Sequence, residues 1–267
     1  TAARRGREAQ HVWRESRDMA HPKTRIHVIV FGEKQQTDIA GVLREVAQAG
    51  YEGIEADNLF QNHGEDAVRK LIDETGLSVI GLHRGYDDLV QEEIIAKDID
   101  YLKAVGGTYL ICSGVSDNNS LQGYENSAAF FNETGKRCRD AGLVFMYHNH
   151  NWEFQSFNGT KAIHRLVELC DPALVKLCID VYWVHIGGED PSTFIARYKD
   201  RAGYYHFKDG SPGKFIELGQ GEVDLVSAKQ AALAAGADWI ICEQDTTEKP
   251  TLQSIGESRE YLRSIGL

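Results

Sequence analysis

The feature that most constrains the fold of this chain is an alternation of two patterns that recurs roughly every 30 residues from Arg25 onward. In each repeat, a short apolar run precedes a polar loop and then a segment with helical periodicity. Helices that separate strands in this way act as crossovers, so neighbouring strands pair in parallel. The pattern predicts eight strands, at residues 25–31, 51–55, 77–83, 108–113, 143–150, 174–180, 204–208 and 238–243.

Eight strand–helix units are the number that closes a (β/α)8 TIM barrel, and a chain of 267 residues can form this fold as a single domain. A doubly wound open sheet is the competing fold. It would normally carry a Gly-x-Gly-x-x-Gly loop after the first strand, whereas this loop reads Gly32-Glu33-Lys34-Gln35-Gln36. We therefore predict a single α/β barrel at residues 25–267, preceded by a short, solvated N-terminal extension at residues 1–24.

Two of the predicted helices are clearly amphipathic. The first begins near Asp38 and ends before Gly50, and its apolar face consists of Ile39, Val42, Leu43 and Val46. The second covers residues 89–105 and is expected to bury Ile95, Ile99 and Leu102. Both helices have the apolar stripe that packs against the outside of a barrel.

The charge of the chain argues against nucleic acid as a partner. The formal net charge is −11, whereas proteins that bind a phosphate backbone depend on clustered Lys and Arg. No apolar stretch approaches the roughly 20 residues of a membrane span. The five cysteines are far apart and are expected to be reduced and mostly buried. We therefore expect a cytoplasmic protein that acts on a small molecule, and leave a homo-oligomer open.

Polar residues collect at one end of the predicted strands. The C-terminal ends of barrel strands converge on one mouth, where the active sites of this fold lie. Alternation along a strand also predicts that Asp180 shares a face with Cys178, and Glu243 with Ile241. The residues expected at the mouth are Glu55, His83, Ser113, His148, His150, Asp180, His206, Lys208 and Glu243.

Carboxylates and imidazoles that converge in this way predict a metal site. Carboxylates packed together repel one another unless a cation lies between them. Oxygen and imidazole ligands suit Mn²⁺, Mg²⁺, Zn²⁺ or Co²⁺ better than metals that select thiolates. Asp180 and Glu243 are the strongest candidates, because an acid at the end of an apolar strand needs a partner that offsets its desolvation.

The segment Tyr147-His148-Asn149-His150-Asn151-Trp152-Glu153-Phe154 resembles the Tyr-His-Asn-His-x-x-Glu-Phe motif of the sugar phosphate isomerase/epimerase-like family, which belongs to the xylose-isomerase-like TIM barrel superfamily. Four later segments match in order, and the likeness extends over residues 25–267. They are Cys178-Ile179-Asp180-Val181-Tyr182-Trp183-Val184 with Asp190-Pro191, His206-Phe207-Lys208-Asp209, Glu217-Leu218-Gly219-Gln220-Gly221-Glu222-Val223-Asp224, and Cys242-Glu243-Gln244-Asp245.

The resemblance implies one divalent metal ion (Mn, Mg, Zn or Co) held by two Glu, one Asp and one His. In this chain the expected metal ligands are Glu153, Asp180, His206 and Glu243. Many family members have a metal-binding Glu at the tip of the fifth strand, where this chain has His148. We expect Glu153 to supply the fourth ligand because it preserves the number of carboxylates, and we retain His148 as the alternative.

The implied reaction is abstraction of the proton next to a sugar carbonyl, through an enediolate that the metal stabilises. His150 is the first candidate for the general base, since an imidazole titrates near neutrality. We also assign catalytic roles to His148, as an acid/base or hydroxyl-binding group, and to Lys208, as a cation beside the developing oxyanion. The residues expected to bind the substrate are Glu55, His83 and Trp183.

Several reactions share this chemistry, and the sequence favours a sugar isomerase or epimerase. A lyase or dehydratase acting on keto-sugars or 3-keto-glycosides is the runner-up. An endonuclease IV-like enzyme needs more metal ligands and a basic face, neither of which the sequence displays. A non-catalytic barrel that binds sugars is the alternative of another class. The expected partner is a sugar or keto-sugar, with no nucleic acid and no membrane.

Overall fold

Eight parallel strands close into a barrel in the computed structural model, which describes residues 22–57 and 63–267. Each strand pairs with its neighbours in the chain, and the first pairs with the eighth. All eight predicted strands are present, which confirms the TIM barrel. In chain order they are β1 Lys23–His27, β2 Gly53–Ala56, β3 Ser78–Gly85, β4 Tyr109–Ser113, β5 Val144–His148, β6 Val175–Asp180, β7 Ala202–Phe207 and β8 Trp239–Cys242.

A main helix follows each strand. These helices are α1 Ile39–Ala49, α2 Glu65–Thr75, α3 Glu92–Val105, α4 Leu121–Asp140, α5 Ala162–Leu169, α6 Pro191–Arg197, α7 Leu225–Ala234 and α8 Thr251–Ser264. The loops contain shorter helical segments at Val28–Phe31, Lys34–Thr37, Tyr86–Leu89, Trp152–Phe154 and Val181–Ile186. They also contain two small hairpins, formed by Ser156–Phe157 with Thr160–Lys161 and by Asp209–Ser211 with Lys214–Ile216.

The ends of α1 follow directly from the local sequence. The carboxylate of Asp38 accepts a hydrogen bond from the Gly41 backbone N–H at 2.9 Å, which satisfies a free donor of the first turn. Gly50 ends the helix with a φ of 84°, a left-handed conformation that residues with a Cβ atom rarely adopt. The four predicted apolar residues between these ends are buried, so the predicted helix is confirmed.

The second amphipathic helix differs in part from the prediction. Residues Tyr86–Leu89 form a separate turn, and α3 begins only at Glu92. Ile95 and Leu102 are buried as expected, and Ile99 is half-buried. Asp98 is also buried on this face, because Arg84 of β3 pairs with it.

Two apolar cores lie on opposite sides of the barrel wall. The larger core lies between strands and helices, and the smaller one fills the barrel interior. Alternation along a strand aims every second residue inward, so the position two residues beyond an interior residue also faces the axis. The interior core consists of Ile80, Tyr109, Ile111, Met146, Cys178, Tyr204 and Ile241.

The first strand differs most from the prediction. It begins at Lys23 and ends at His27, and residues Val28–Phe31 form a short 3-10 helix. Residues 1–21 of the predicted N-terminal extension lie outside the described residues.

All five cysteines are unpaired and buried, in agreement with the prediction. In the described part of the chain, no helix combines the length and apolarity that a membrane crossing requires.

Candidate functional site

Four side chains from the last four strands meet in one buried layer at the barrel mouth. One ligand-type atom of each lies within 4.8 Å of the others, and all four residues are buried. Each stands two positions after an interior core residue, so the pleat aims it toward the barrel axis. The group consists of His148, Asp180, His206 and Glu243, which we call the mouth cluster. The side chains of Asp180, His206 and Glu243 thus lie together as predicted, and their role as ligands stays a prediction.

The His206 imidazole lies between two carboxylates of the mouth. Its Nδ1 contacts Glu243, and its Nε2 lies 2.9 Å from Glu55 Oε2. Burial disfavours a charged imidazole, yet the attraction of acidic neighbours outweighs it and raises the pKa of His206. Burial also opposes ionisation of Glu243, but the charges of Lys208 and His206 hold the Glu243 pKa well below its usual range. A cation that binds here would therefore replace a proton on His206.

Two residues of the mouth cluster have buried polar atoms that make no hydrogen bond. In the part of the chain that the structure describes, both ring nitrogens of His148 and the Oδ2 atom of Asp180 lack a hydrogen-bond partner. His148 Nε2 lies 3.4 Å from Asp180 Oδ2 and 3.6 Å from Glu243 Oε2. Such atoms cost free energy unless a ligand satisfies them. Two imidazoles and two carboxylates fit a divalent transition metal or zinc.

Lys208 is a buried cation beside the mouth cluster. Its Nζ lies 3.1 Å from Glu243 Oε1 and 3.0 Å from Asp245 Oδ1. The ammonium group also lies over the rings of Trp183 and Phe215, 5.0 and 4.9 Å from their centroids. Burial opposes its charge, but the nearby carboxylates outweigh burial and raise the pKa of Lys208. Lys208 therefore supplies a fixed positive charge at the mouth.

His150 lies between the mouth cluster and two tryptophans. Its ring stacks on Trp152 at a centroid distance of 4.0 Å, and it lies 4.9 Å from the His148 ring and 5.2 Å from the Trp183 ring. Its Nδ1 has no hydrogen-bond partner among residues 22–57 and 63–267. Burial, together with the charges of His148 and Lys208, lowers the pKa of His150 well below its usual value. A neutral imidazole with an available nitrogen can accept a proton.

Glu153, the expected fifth-strand ligand, does not reach the mouth cluster. It lies in the 3-10 helix Trp152–Phe154, where both carboxylate oxygens have nearby donors. Oε1 accepts the hydroxyl hydrogen bond of Tyr147, and Oε2 accepts the backbone N–H of His150 at 2.7 Å. Glu153 thus lies outside the mouth cluster, and the retained alternative His148 lies within it; which of the two binds a metal stays a prediction.

The three expected substrate-binding residues lie in two places. Glu55 and His83 lie beside the mouth cluster, and His83 Nδ1 is 2.9 Å from Glu55 Oε1. The other oxygen of Glu55 contacts Tyr204 and His206. Trp183 lies on the other side of the mouth, over Lys208. Arg84, the residue after His83, pairs with Asp98 of α3.

Two polar residues of the mouth, His27 and Asp57, were not predicted from the sequence. Together with His83 they form a second group whose ligand-type atoms lie within 4.8 Å of one another. The first strand was predicted to continue to residue 31, so His27 was placed in the middle of that strand. In the structure His27 is the last residue of β1, and residues 28–31 form a 3-10 helix. A prediction that ended the strand at His27 would have placed its side chain at the mouth with the other polar residues.

The family profile described as "Xylose isomerase-like TIM barrel" matches residues 43–265. This match covers most of the chain and agrees with the closed eight-stranded barrel. The chain therefore belongs to the xylose isomerase-like TIM barrel family.

The chain is similar to proteins with different activities. An inosose dehydratase of Lacticaseibacillus casei is 26% identical over 263 residues, which cover 82% of this chain and 86% of the relative. A crystal structure of a sugar phosphate isomerase/epimerase from Parabacteroides distasonis superposes with a TM-score of 0.80 at 19% identity, over 92% of this chain and 96% of that one. A crystal structure of a D-allulose 3-epimerase from Methylomonas sp., in complex with D-allulose, superposes with a TM-score of 0.74 at 17% identity, over 91% of this chain and 96% of that one.

Proposed function

We propose that this chain is a metal-dependent enzyme that abstracts the proton next to a carbonyl of a keto-sugar or related keto-polyol, as an isomerase or epimerase. The observation that carries the proposal is the mouth cluster, in which four buried ligand-type side chains meet next to a neutral imidazole. Similarity to sugar isomerases and epimerases supports this reaction class.

The mouth cluster would hold one divalent ion through His148, Asp180, His206 and Glu243. Two imidazoles beside two carboxylates favour Zn²⁺, Co²⁺ or Mn²⁺ over Mg²⁺, which prefers oxygen ligands. When bound, the ion supplies Lewis acidity that polarises the substrate carbonyl. The buried polar atoms of His148 and Asp180 support this assignment, since no group in the described part of the chain forms a hydrogen bond with them.

In this proposal His150 is the general base. Its ring is neutral at physiological pH and has an available Nδ1, and Trp152 fixes its orientation by stacking. Lys208 would stabilise the oxyanion that develops when the proton leaves, because its charge is buried and fixed. Glu55 and His83 would bind substrate hydroxyls, and Trp183 would pack on a sugar face.

A dehydratase or lyase is the second candidate. The same proton abstraction, followed by loss of a β-hydroxyl group, eliminates water instead of moving the proton. The specific observation in its favour is the similarity to inosose dehydratase, which covers 82% of this chain.

Hydrogen exchange tests both candidates in one experiment. The protein loaded with Mn²⁺ or Co²⁺ is incubated in D₂O with D-allulose, other ketoses, an inosose and a 3-keto-glucoside, and the products are analysed by NMR and mass spectrometry. Deuterium beside the carbonyl of an intact or rearranged sugar supports the isomerase or epimerase. Loss of water with a new double bond supports the dehydratase.

Two variants make the test specific for the base. His150→Asn should lower the exchange rate by roughly 10²–10⁴-fold, because it removes the proton acceptor. His185→Asn, a change of the same kind in the segment Val181–Ile186, should leave the rate unchanged. Failure of every substrate to exchange or to eliminate water would contradict the proposal and favour a barrel that only binds sugars.

A further inference from the structure

We propose that His27, Asp57 and His83 form a second divalent-cation site, which Glu55 connects to the mouth cluster through His206. One ligand-type atom of each residue lies within 4.8 Å of the others. His27 ends β1, Asp57 directly follows β2, and His83 lies in β3. Two imidazoles and one carboxylate leave a coordination position open for an external ligand. The inference rests on the proposed function at one step, namely that the mouth cluster binds the first cation.

The strongest local observation concerns His27. His27 is only 1% exposed, and neither of its ring nitrogens makes a hydrogen bond within the described residues. The Nε2 atom nevertheless points at oxygen atoms, 3.2 Å from Asp57 Oδ1 and 3.6 Å from Glu55 Oε1. The imidazole of His83 lies beside it, with the ring centroids 5.3 Å apart. A buried imidazole that faces carboxylates without hydrogen-bond geometry is suited to bind a cation.

Glu55 connects the two groups. Its Oε1 lies 2.9 Å from His83 Nδ1, on the side of the second group. Its Oε2 lies 2.9 Å from His206 Nε2, on the side of the mouth cluster. Glu55 thus contacts an imidazole of each group, one with each carboxylate oxygen. The groups are close neighbours, since the rings of His83 and His148 are 4.8 Å apart.

The charges at the mouth also favour a second cation. Within the described chain, Glu55 and Asp57 lie close to the imidazoles of histidines, and no Lys or Arg forms an ion pair with either carboxylate. Both carboxylates face Nε2 of His27, and carboxylates packed together repel one another unless a cation lies between them.

A proton on His27 is the competing way to satisfy these acids. Burial opposes that proton, but the charges of Asp57, Glu55 and Glu243 outweigh burial and raise the pKa of His27 to about 9. The two explanations differ in the number of cations that the chain binds, which can be measured directly.

The test is equilibrium dialysis of the folded protein against Co²⁺ at neutral pH, with metal and protein measured in the same samples. The parent chain should bind two equivalents. Asp57→Asn and His27→Gln should each weaken binding of the second equivalent about tenfold or more, because each removes one ligand. Asp87→Asn is the matched control. This exposed acid in the turn Tyr86–Leu89 lies outside both groups, and the variant should bind two equivalents.

The results separate the two proposals. Asp180→Asn, which alters the mouth cluster, should weaken one equivalent and thus identifies the first site. A parent chain that binds one equivalent, lost in Asp180→Asn and retained in Asp57→Asn and His27→Gln, would overturn the second site and leave the proposed function standing. A parent chain that binds no Co²⁺ would overturn both. Circular dichroism of each variant verifies its fold, and either of the two second-site variants suffices for the test.

Discussion

One residue near the end of β5 decides which side chain enters the polar layer of the mouth. His148 follows Met146 by two positions, so the pleat aims both into the barrel. Glu153 lies beyond the strand, and the helical turn that contains it directs its carboxylate to the His150 backbone and the Tyr147 hydroxyl. Glu153 was predicted as a ligand because it keeps the usual number of carboxylates. The directions of the two side chains instead bring His148 into the mouth cluster.

At the residue scale, Glu217 provides a prediction of stability against pH. Its Oε2 lies 2.9 Å from Lys249 Nζ. Burial opposes ionisation, but hydrogen bonds from Lys249 and Ser254 overcome it and lower the pKa of Glu217 to about 2. A folded-state pKa below the unfolded value stabilises the protein above about pH 4.5, and this stabilisation is lost as the pH falls toward 2.

Glu217→Gln should therefore lower the free energy of unfolding at pH 7 by roughly 1–2 kcal/mol, discounted because Lys249 is partly exposed. The difference between parent and variant should shrink as the pH is lowered from 4.5, and urea unfolding at several pH values measures it. Glu222→Gln, at an exposed position nearby in the chain, serves as the control. A difference that stays constant down to the lowest pH at which the parent folds would contradict the assignment.

At the scale of elements, a buried ion pair joins β3 to α3. Arg84 of β3 donates two hydrogen bonds to the Asp98 carboxylate of α3, at 2.8 and 2.6 Å, and both residues are buried. Burial raises the pKa of Asp98 even with Arg84 beside it. Desolvation thus outweighs attraction, and the pair is expected to fix how the helix packs on the strand more than to add net stability.

Asp98→Asn should destabilise the protein by about 3–5 kcal/mol, because it removes the buried carboxylate that faces the Arg84 guanidinium. The double variant Arg84→Met/Asp98→Leu should recover part of that loss, since it removes both desolvated charges. Chemical unfolding followed by circular dichroism measures these differences. Asp100→Asn, at an exposed position of the same helix, should change stability by less than about 0.5 kcal/mol. Equal effects of Asp98→Asn and Asp100→Asn would show that the pair has no such role.

At the scale of the whole molecule, the two ends of the described barrel support each other. β1 pairs with β8, and Arg259 of α8 donates a hydrogen bond to the Gly50 carbonyl at the end of α1, at 3.0 Å. The proposed metal ligands come from four different strands or strand ends of this closed wall. These residues can bind a cation together only in the folded barrel, so metal binding adds to the stability of the whole domain.

Addition of Co²⁺ or Zn²⁺ at about 100 times its Kd should raise the free energy of unfolding by about 2.7 kcal/mol. That corresponds to a Tm increase of roughly 5–10 °C for a domain of this size. His148→Asn should lose most of this increase. Glu153→Gln should retain it, whatever its Tm without metal, because its oxygens lie outside the mouth cluster. Scanning calorimetry with and without EDTA measures the shift, and an increase lost in Glu153→Gln but kept in His148→Asn would restore the predicted ligand set.

Features that depend on local periodicity could be predicted from the sequence. Eight alternating strand and helix patterns specify the barrel, since each helix must return the chain before the next parallel strand. The two-residue period of a strand is equally local, so the common direction of Asp180, His206 and Glu243 could be predicted without coordinates.

The neighbours of each side chain across the mouth could not be predicted, because they depend on the tertiary structure. That depends on where each strand ends and on how the loop after it folds, and both are set by packing between elements distant in the chain. The end of β1 at His27 brought His27 and Asp57 beside His83, while the turn after β5 kept Glu153 from joining His148. Distances across a closed barrel follow from register and closure, which no single segment of the sequence encodes.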